Sequence, residues 1–127
     1  MKKKIVHTAK APQPIGPYSQ AVAANGLLFV SGQIAINPAT GAMNMDNLET
    51  ETRQVMDNLS AVLESAGASF DNIVKTTIFL SDMGLFAQVN EIYNSYFSGN
   101  FPARETVAVK GLPKNVNVEI SVIAQLI

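Results

Sequence analysis

The segment from Val116 to Leu126 alternates clearly between apolar and mostly polar residues, and this pattern constrains the fold more than any other feature of the sequence. A two-residue period places successive side chains on opposite faces of a β-strand. One face of this segment carries only apolar residues: Val116, Val118, Ile120, Val122, Ala124 and Leu126. The other face carries Asn117, Glu119, Ser121, Ile123 and Gln125. The segment therefore predicts a long strand with one face in the core and a second face that is only partly polar.

Five further segments predict strands, and two segments with helical apolar spacing predict helices. The other predicted strands are Lys4–His7, Ser19–Ala24, Leu27–Ile34, Ile73–Leu80 and Arg104–Val109. The first helix is predicted from Leu48 to Ala66, with Asn47 as its N-cap. The second is predicted from Gly84 to Ser98, with Asp82 as its cap. The dipeptide Asn25-Gly26 between two apolar runs predicts a tight hairpin.

This order of elements predicts an α/β protein (two-layer α+β) in which two helices pack on one face of a mixed β-sheet. The length of 127 residues fits a single domain over residues 1–127. The helices can cover only one face, yet Leu27, Phe29 and Ile123 bring apolar side chains to the other. Because only 15% of the residues are charged, we expect this second face to pack against other copies of the chain.

Composition excludes several classes of function. The net charge of −1 supplies no positive field for nucleic acid, so we do not expect a nucleic-acid partner. The chain has no cysteine, which excludes thiolate chemistry, and its single histidine, His7, excludes multi-histidine metal sites. We also expect no histidine-based triad, because a lone histidine near a terminus is more often a solvated strand residue. No segment approaches the roughly 20 apolar residues that span a bilayer. We therefore expect a cytoplasmic protein with no membrane partner and no metal.

Arg104 is the first candidate for a ligand site. It begins a predicted strand and shares its face with the small residues Thr106 and Ala108, which leave a hollow around the guanidinium. A guanidinium binds a carboxylate through two parallel hydrogen bonds and keeps its charge at any working pH. Spacing alone favours a surface ion pair instead. The apolar second face of the sheet suggests that a neighbouring subunit closes this hollow.

Glu119 is the second candidate, because a carboxylate on a partly apolar face should have a raised pKa suited to proton transfer. The alternative is a structural partner for a lysine or arginine. Tyr18 ends the stiff loop Ile15-Gly16-Pro17-Tyr18, where its hydroxyl either enters a cleft or simply packs. At Ser31-Gly32 the glycine allows a close approach and the serine offers a donor, unless the pair forms a β-bulge.

Several ordered motifs carry a family likeness over nearly the whole chain. They are Ile15-Gly16-Pro17-Tyr18-Ser19-Gln20, Ser31-Gly32-Gln33-Ile34, Val89-Asn90-Glu91-Ile92-Tyr93, Phe101-Pro102-Ala103-Arg104, and Leu112-Pro113-Lys114 leading to Val118-Glu119-Ile120. With these motifs the sequence resembles the RidA/YjgF family of reactive-intermediate imine deaminases, also called endoribonuclease L-PSP proteins. The resemblance implies a chorismate-mutase-like fold and a homotrimer with clefts between subunits.

The resemblance also implies an activity. It is the hydrolysis of 2-iminobutanoate, 2-iminopropanoate and related enamines, released by pyridoxal-phosphate dehydratases, to 2-ketoacids and ammonia, with no cofactor. In this reading Arg104 binds the carboxylate of the 2-iminoacid, and Glu119 with Tyr18 positions water and moves protons. The residues implied to line the cleft are Ser31, Gly32, Asn90 and Thr106.

The chain departs from the family pattern after the arginine, where a small residue and a cysteine are common. Glu105 and Thr106 stand at these two places. The backbone N–H of Thr106 can serve a substrate carboxylate as well as that of a cysteine, and Glu105 should point away from Arg104. Two other functions remain open: RNA cleavage with inhibition of translation, and sensing of a small metabolite without turnover.

Overall fold

The computed structural model describes residues 2–126 and contains a six-stranded sheet with two α-helices, as the sequence pattern predicts. The strands are β1 (Lys4–Val6), β2 (Ala21–Ala24), β3 (Leu27–Gln33), β4 (Ile73–Leu80), β5 (Ala103–Ala108) and β6 (Val118–Gln125). The helices are α1 (Leu48–Ser65) and α2 (Phe86–Asn94). Short 3-10 turns precede β4, α2 and β6. No helix within residues 2–126 is long and apolar enough to cross a membrane.

The sheet has the strand order β1-β2-β3-β6-β4-β5 and is mixed. Only β4 and β5 run parallel, and α2 forms the crossover between them. The predicted hairpin joins β2 to β3, where Asn25 and Gly26 have φ values of 51° and 76°. Both residues are left-handed, as a type I′ turn requires, so the Asn-Gly prediction is confirmed.

Both helices pack on one face of the sheet, and the core lies between these two layers. The apolar face of β6 is buried there through Val118, Ile120, Val122 and Ala124, and α1 contributes Val55, Leu59, Val62 and Leu63. Asn47 caps α1 as predicted, because its side chain accepts a hydrogen bond from the Thr50 N–H at 2.8 Å. On the opposite face, Phe29 and Val107 stay 43% and 45% exposed. The second face is therefore apolar and uncovered in one protomer.

The predicted end of the second helix was wrong, since α2 stops at Asn94 rather than Ser98. After Asn94 the chain tightens, and the N–H groups of Tyr96 and Phe97 bond to carbonyls three residues back. This turn brings both rings to within 5.5 Å of the Phe70 ring, measured between centroids. Aromatic packing against a distant residue thus overrides the helical spacing.

A buried carboxylate decides where β6 begins, which is two residues later than predicted. Glu51 of α1 is fully buried. One of its oxygens accepts from the N–H groups of Asn117 and Val118 at 2.7 and 3.2 Å, and the other accepts from the Asn117 amide at 2.9 Å. These bonds satisfy groups that would otherwise be buried without partners, and they join α1 to the strand that carries Glu119.

We expect Glu51→Gln to lower the free energy of unfolding by about 3 kcal/mol, because an amide meets three donors with one acceptor oxygen and loses the charge-assisted bonds. Urea denaturation followed by circular dichroism measures this change. The control is Glu49→Gln on the same helix, where only an exposed ion pair with Arg53 is lost. Equal, small shifts in the two variants would show that the Glu51 bonds contribute little.

Candidate functional site

The candidate residues line two separate cavities. The Glu119 cavity, of about 320 Å³, is lined by Pro12, Gln13, Ile15, Tyr18, Gln20, Ser31, Gly32, Gln33, Ile34, Ile36, Pro113 and Glu119. The Arg104 cavity, of about 400 Å³, is lined by Asn90, Tyr93, Asn94, Phe101, Pro102 and Arg104. The sequence-predicted site is therefore split in one protomer, with Tyr18, Ser31, Gly32 and Glu119 in one half and Arg104 and Asn90 in the other.

Glu119 extends from β6 on the face of the sheet opposite the helices, because its neighbours Val118 and Ile120 are in the core. Burial raises the pKa of its carboxyl group, in agreement with the sequence argument. Within residues 2–126 the carboxylate makes no ion pair within 4.0 Å, so the alternative of a structural lysine or arginine partner is wrong for this protomer. The charge of the Glu119 carboxylate is thus not balanced by a basic side chain of the described residues.

The carboxylate of Glu119 lies directly against Gly32. A β-carbon at position 32 would lie 2.8 Å from the Glu119 Cδ atom, closer than real Cβ atoms approach. The register between β3 and β6 also shifts between Val30 and Gln33. Both readings of Ser31-Gly32 therefore hold: the strand has an irregularity, and the glycine admits a side chain against its backbone.

Tyr18 and Ser31 line the Glu119 cavity in different ways. Tyr18 is 48% exposed, and its hydroxyl accepts a long hydrogen bond of 3.3 Å from the Ile15 N–H. Ser31 does not offer the free donor that we expected, because its hydroxyl donates to the Ser19 carbonyl at 2.6 Å. Ser31 thus holds the loop that carries Tyr18 and presents only lone pairs to a ligand.

Arg104 lies on the helix side of the sheet, since it pairs in register with the buried Thr76 of β4. Its Cζ atom is 5.1 Å from the centre of the Tyr93 ring and 5.6 Å from that of Phe86, both on α2. Arg104 therefore does not lie on the apolar second face of the sheet, from which closure of its hollow by a neighbouring subunit was predicted. The strict alternation of β5 turns this side chain to the other face, at the edge of the sheet.

Arg104 has no acidic partner in the part of the chain that the structure describes, although it is only partly exposed. The surface ion pair that spacing favoured is absent from residues 2–126. Glu105 extends from the opposite face of β5, as expected, and pairs with Lys75 at 3.5 Å. The N–H groups of Arg104 are therefore available for a ligand anion beside Asn90.

Thr106 follows Arg104 on the same face of β5 but lines neither cavity. Its hydroxyl oxygen is buried and lacks a hydrogen-bond partner among residues 2–126. Such an unpaired hydroxyl is destabilising rather than useful to the fold. The structure therefore does not place the Thr106 side chain at either cavity.

The family model described as "Endoribonuclease L-PSP" matches residues 8–126. The chain belongs to this family. Its members are also called RidA/YjgF or Rid proteins.

Three relatives represent the similarity. A Rid family protein of unknown function from Yersinia pestis has 52% identity and a TM-score of 0.96, over 98% of this chain and 100% of that chain. The mouse 2-iminobutanoate/2-iminopropanoate deaminase is 44% identical over 96% of this chain and 90% of its own length. The Escherichia coli protein TdcF, solved with bound serine, has 38% identity and a TM-score of 0.92, covering 96% and 98% of the two chains. The family thus includes proteins named imine deaminases and one that binds a small amino acid.

Sequence reasoning missed the aromatic wall of the Arg104 cavity. It named Asn90 of the second helix only through the family resemblance, and it left Phe86 and Tyr93 out of the site. These three positions are spaced i, i+4 and i+7, so they share one helix face, and this spacing could have grouped them. In this Rid family chain, that face of α2 lies against Arg104.

No group of three or more histidine, cysteine, aspartate or glutamate side chains within residues 2–126 is arranged to hold a metal ion. The buried polar residue Gln33 was also missed, and it lines the Glu119 cavity while its amide donates to the Ser31 carbonyl at 3.3 Å. The chemistry available to the site is thus a carboxylate with a raised pKa, a free guanidinium and amide groups.

We expect Glu119→Gln to stabilise this protein above the folded-state pKa of Glu119. Burial raises that pKa above the unfolded value of about 4.3, so the wild type loses stability as the pH rises from there through the folded pKa. The gain should be absent at lower pH. Urea midpoints measured from pH 4 to 8 check this, with Glu64→Gln on the exposed side of α1 as baseline. A gain independent of pH would contradict the burial argument.

Proposed function

We propose that this protein is a 2-iminobutanoate/2-iminopropanoate deaminase that hydrolyses imine and enamine intermediates released by pyridoxal-phosphate dehydratases. The observation that carries the proposal is the partly buried Arg104, which faces a cavity without any acidic partner among residues 2–126. A cation in this setting favours an anionic ligand of matching geometry, and a carboxylate accepts two of its hydrogen bonds. The name of the mouse relative supports the same class of substrate.

We propose that the complete site forms between copies of the chain in a homotrimer. Arg104 and Glu119 extend from opposite faces of the sheet, so one protomer cannot bring both to one small ligand. Contact between two different surfaces is head-to-tail, and such contacts form a ring when the rotation closes. The exposed apolar residues Phe29 and Val107 on the open face support burial in such an assembly.

In the proposed mechanism Arg104 of one protomer holds the carboxylate of the 2-iminoacid, with Asn90 beside it. Glu119 of the adjacent protomer, with Tyr18, orients a water molecule toward the imine carbon. Water adds to the C=N bond, and the C–N bond then breaks, so that the 2-iminoacid and water become a 2-ketoacid and ammonia. The raised pKa of Glu119 suits a group that accepts a proton from water and returns one to the nitrogen.

Two rival functions use the same residues differently. A metabolite sensor would bind 2-ketoacids or amino acids in the cleft without turnover. An RNA-cleaving protein, as the family description names, would need contacts to phosphates, which the net charge of −1 does not favour. Burial of Glu119 against Gly32 raises the pKa of its carboxyl group, which suits proton transfer and is not needed for binding without turnover.

The first test couples this protein to a serine or threonine dehydratase and follows the rate of 2-ketoacid release. The wild type should accelerate release, and Arg104→Ala should reduce the effect about a hundredfold or more, because the carboxylate loses its charged partner. Arg53→Ala, which removes an exposed arginine of α1 that lines neither cavity, is the matched control. Full activity of Arg104→Ala would refute the site, and binding without acceleration would favour the sensor.

The second test asks whether one site draws on two protomers. Arg104→Ala and Glu119→Ala should each be inactive alone. When equal amounts are dissociated and reassembled together, about a quarter of the interfaces should regain both residues, and activity should recover to that fraction. Sedimentation measures the number of subunits in the same samples. A mixture that stays inactive although it contains mixed trimers would place both residues in one protomer's site.

A further inference from the structure

The way in which Arg104 is held suggests a role for a residue outside the predicted site. Its Cζ atom lies within cation–π distance of two rings of α2, 5.1 Å from Tyr93 and 5.6 Å from Phe86. Within residues 2–126 the guanidinium makes no ion pair. Arg104 is therefore positioned by aromatic faces rather than by a carboxylate.

This arrangement has a chemical consequence for a carboxylate-binding arginine. An aspartate or glutamate partner would occupy the N–H groups that a ligand needs and would neutralise the charge. An aromatic ring attracts the cation through its π face and occupies none of the in-plane N–H groups. Two aromatic rings can therefore restrain the guanidinium while its N–H groups remain free for the ligand.

Tyr93 is the better fixed of the two rings. It is only 4% exposed, and its hydroxyl donates to the Thr76 hydroxyl at 2.9 Å. Its ring centre lies 4.8 Å from that of Phe97. Thr76 is itself fully buried and stands opposite Arg104 in the register of β4 and β5. The same strand pair thus sets the positions of the ring and of the arginine.

We propose that Tyr93 is a positioning residue for Arg104. Together with Phe86, Tyr93 restrains the guanidinium through its ring face and leaves the N–H groups of Arg104 free for the carboxylate of the ligand. The proposal rests on the proposed function, since it assumes that Arg104 binds a carboxylate. The hydroxyl bond to Thr76 orients the ring before the ligand arrives, so little ordering is left to occur on binding. Removal of the ring should therefore weaken binding of charged ligands specifically.

The experiment compares Tyr93→Leu, Tyr93→Phe and Phe86→Leu with the wild type as full-length protein. NMR titration measures the dissociation constants of 2-oxobutanoate and of its uncharged amide, 2-oxobutanamide. Loss of the Tyr93 ring should weaken 2-oxobutanoate binding about tenfold. It should change amide binding less than about twofold. Tyr93→Phe should restore most of the affinity, because it keeps the π face.

The matched control is Tyr96→Leu, which removes a ring that packs on Phe70 instead of Arg104. It should leave both dissociation constants unchanged. If Tyr93→Leu does not fold, Phe86→Leu still tests the proposal, because it removes the partly exposed second ring. This variant should lose affinity for the acid but not for the amide, by a smaller factor than Tyr93→Leu. If Tyr93→Leu and Phe86→Leu weaken binding of the acid and of the amide equally, the rings have only a structural role. That result would overturn the proposal.

A second measurement separates this proposal from the proposed function. In the ligand-free protein, the Arg104 Nε–H signal should be displaced by ring currents in the wild type and should move toward the ordinary arginine position in Tyr93→Leu. An Arg104 Nε–H signal at the same position in Tyr93→Leu and in the wild type would overturn the proposal that Tyr93 positions Arg104. If the wild type binds 2-oxobutanoate and Tyr93→Leu binds it equally well, only the positioning role fails. If the wild type does not bind the acid at Arg104, the proposed function fails, and the positioning role fails with it.

Discussion

Side-chain alternation in the sheet is the constraint on which the rest of the structure depends. It sends Val118 and Ile120 into the core and Glu119 to the opposite face, while on β5 it turns Arg104 toward α2. The two charged residues are therefore separated by the sheet itself. No side-chain rotation brings them together in one protomer, which is why the proposed site needs an adjacent copy.

Buried polar groups then hold the walls of each cavity in place. Gln20 is buried, and its amide donates to the carbonyls of Thr8, Ala11 and Pro12. Asn58 of α1 donates to the Ile34 and Ile36 carbonyls, both at 3.0 Å. The irregular segments beside the Glu119 cavity thus have hydrogen-bonded backbone carbonyls, although these segments do not pair with a neighbouring strand. Arg104 and Glu119 are the charged side chains that line the two cavities and can contact a ligand.

The sequence predicted most of the fold, because periodicity and turn chemistry are local. The two-residue period of β6, the capped helix α1 and the Asn25-Gly26 hairpin all follow from neighbouring residues. Where a distant group intervenes, the prediction was wrong. The end of α2 depends on packing against Phe70, and the start of β6 depends on the buried carboxylate of Glu51. Neither partner is close in the chain.

For the site, the sequence by itself determined which residue types are present: an arginine after a Pro-Ala pair, a glutamate on a partly apolar strand face, and a glycine within another strand. It also determined the family likeness. Only the tertiary structure decided that Arg104 faces α2, that aromatic rings and not an acid hold it, and that Glu119 lies against Gly32. The physical reason is that alternation gives the relative faces within one strand, whereas contacts between strands and helices arise from packing across the chain.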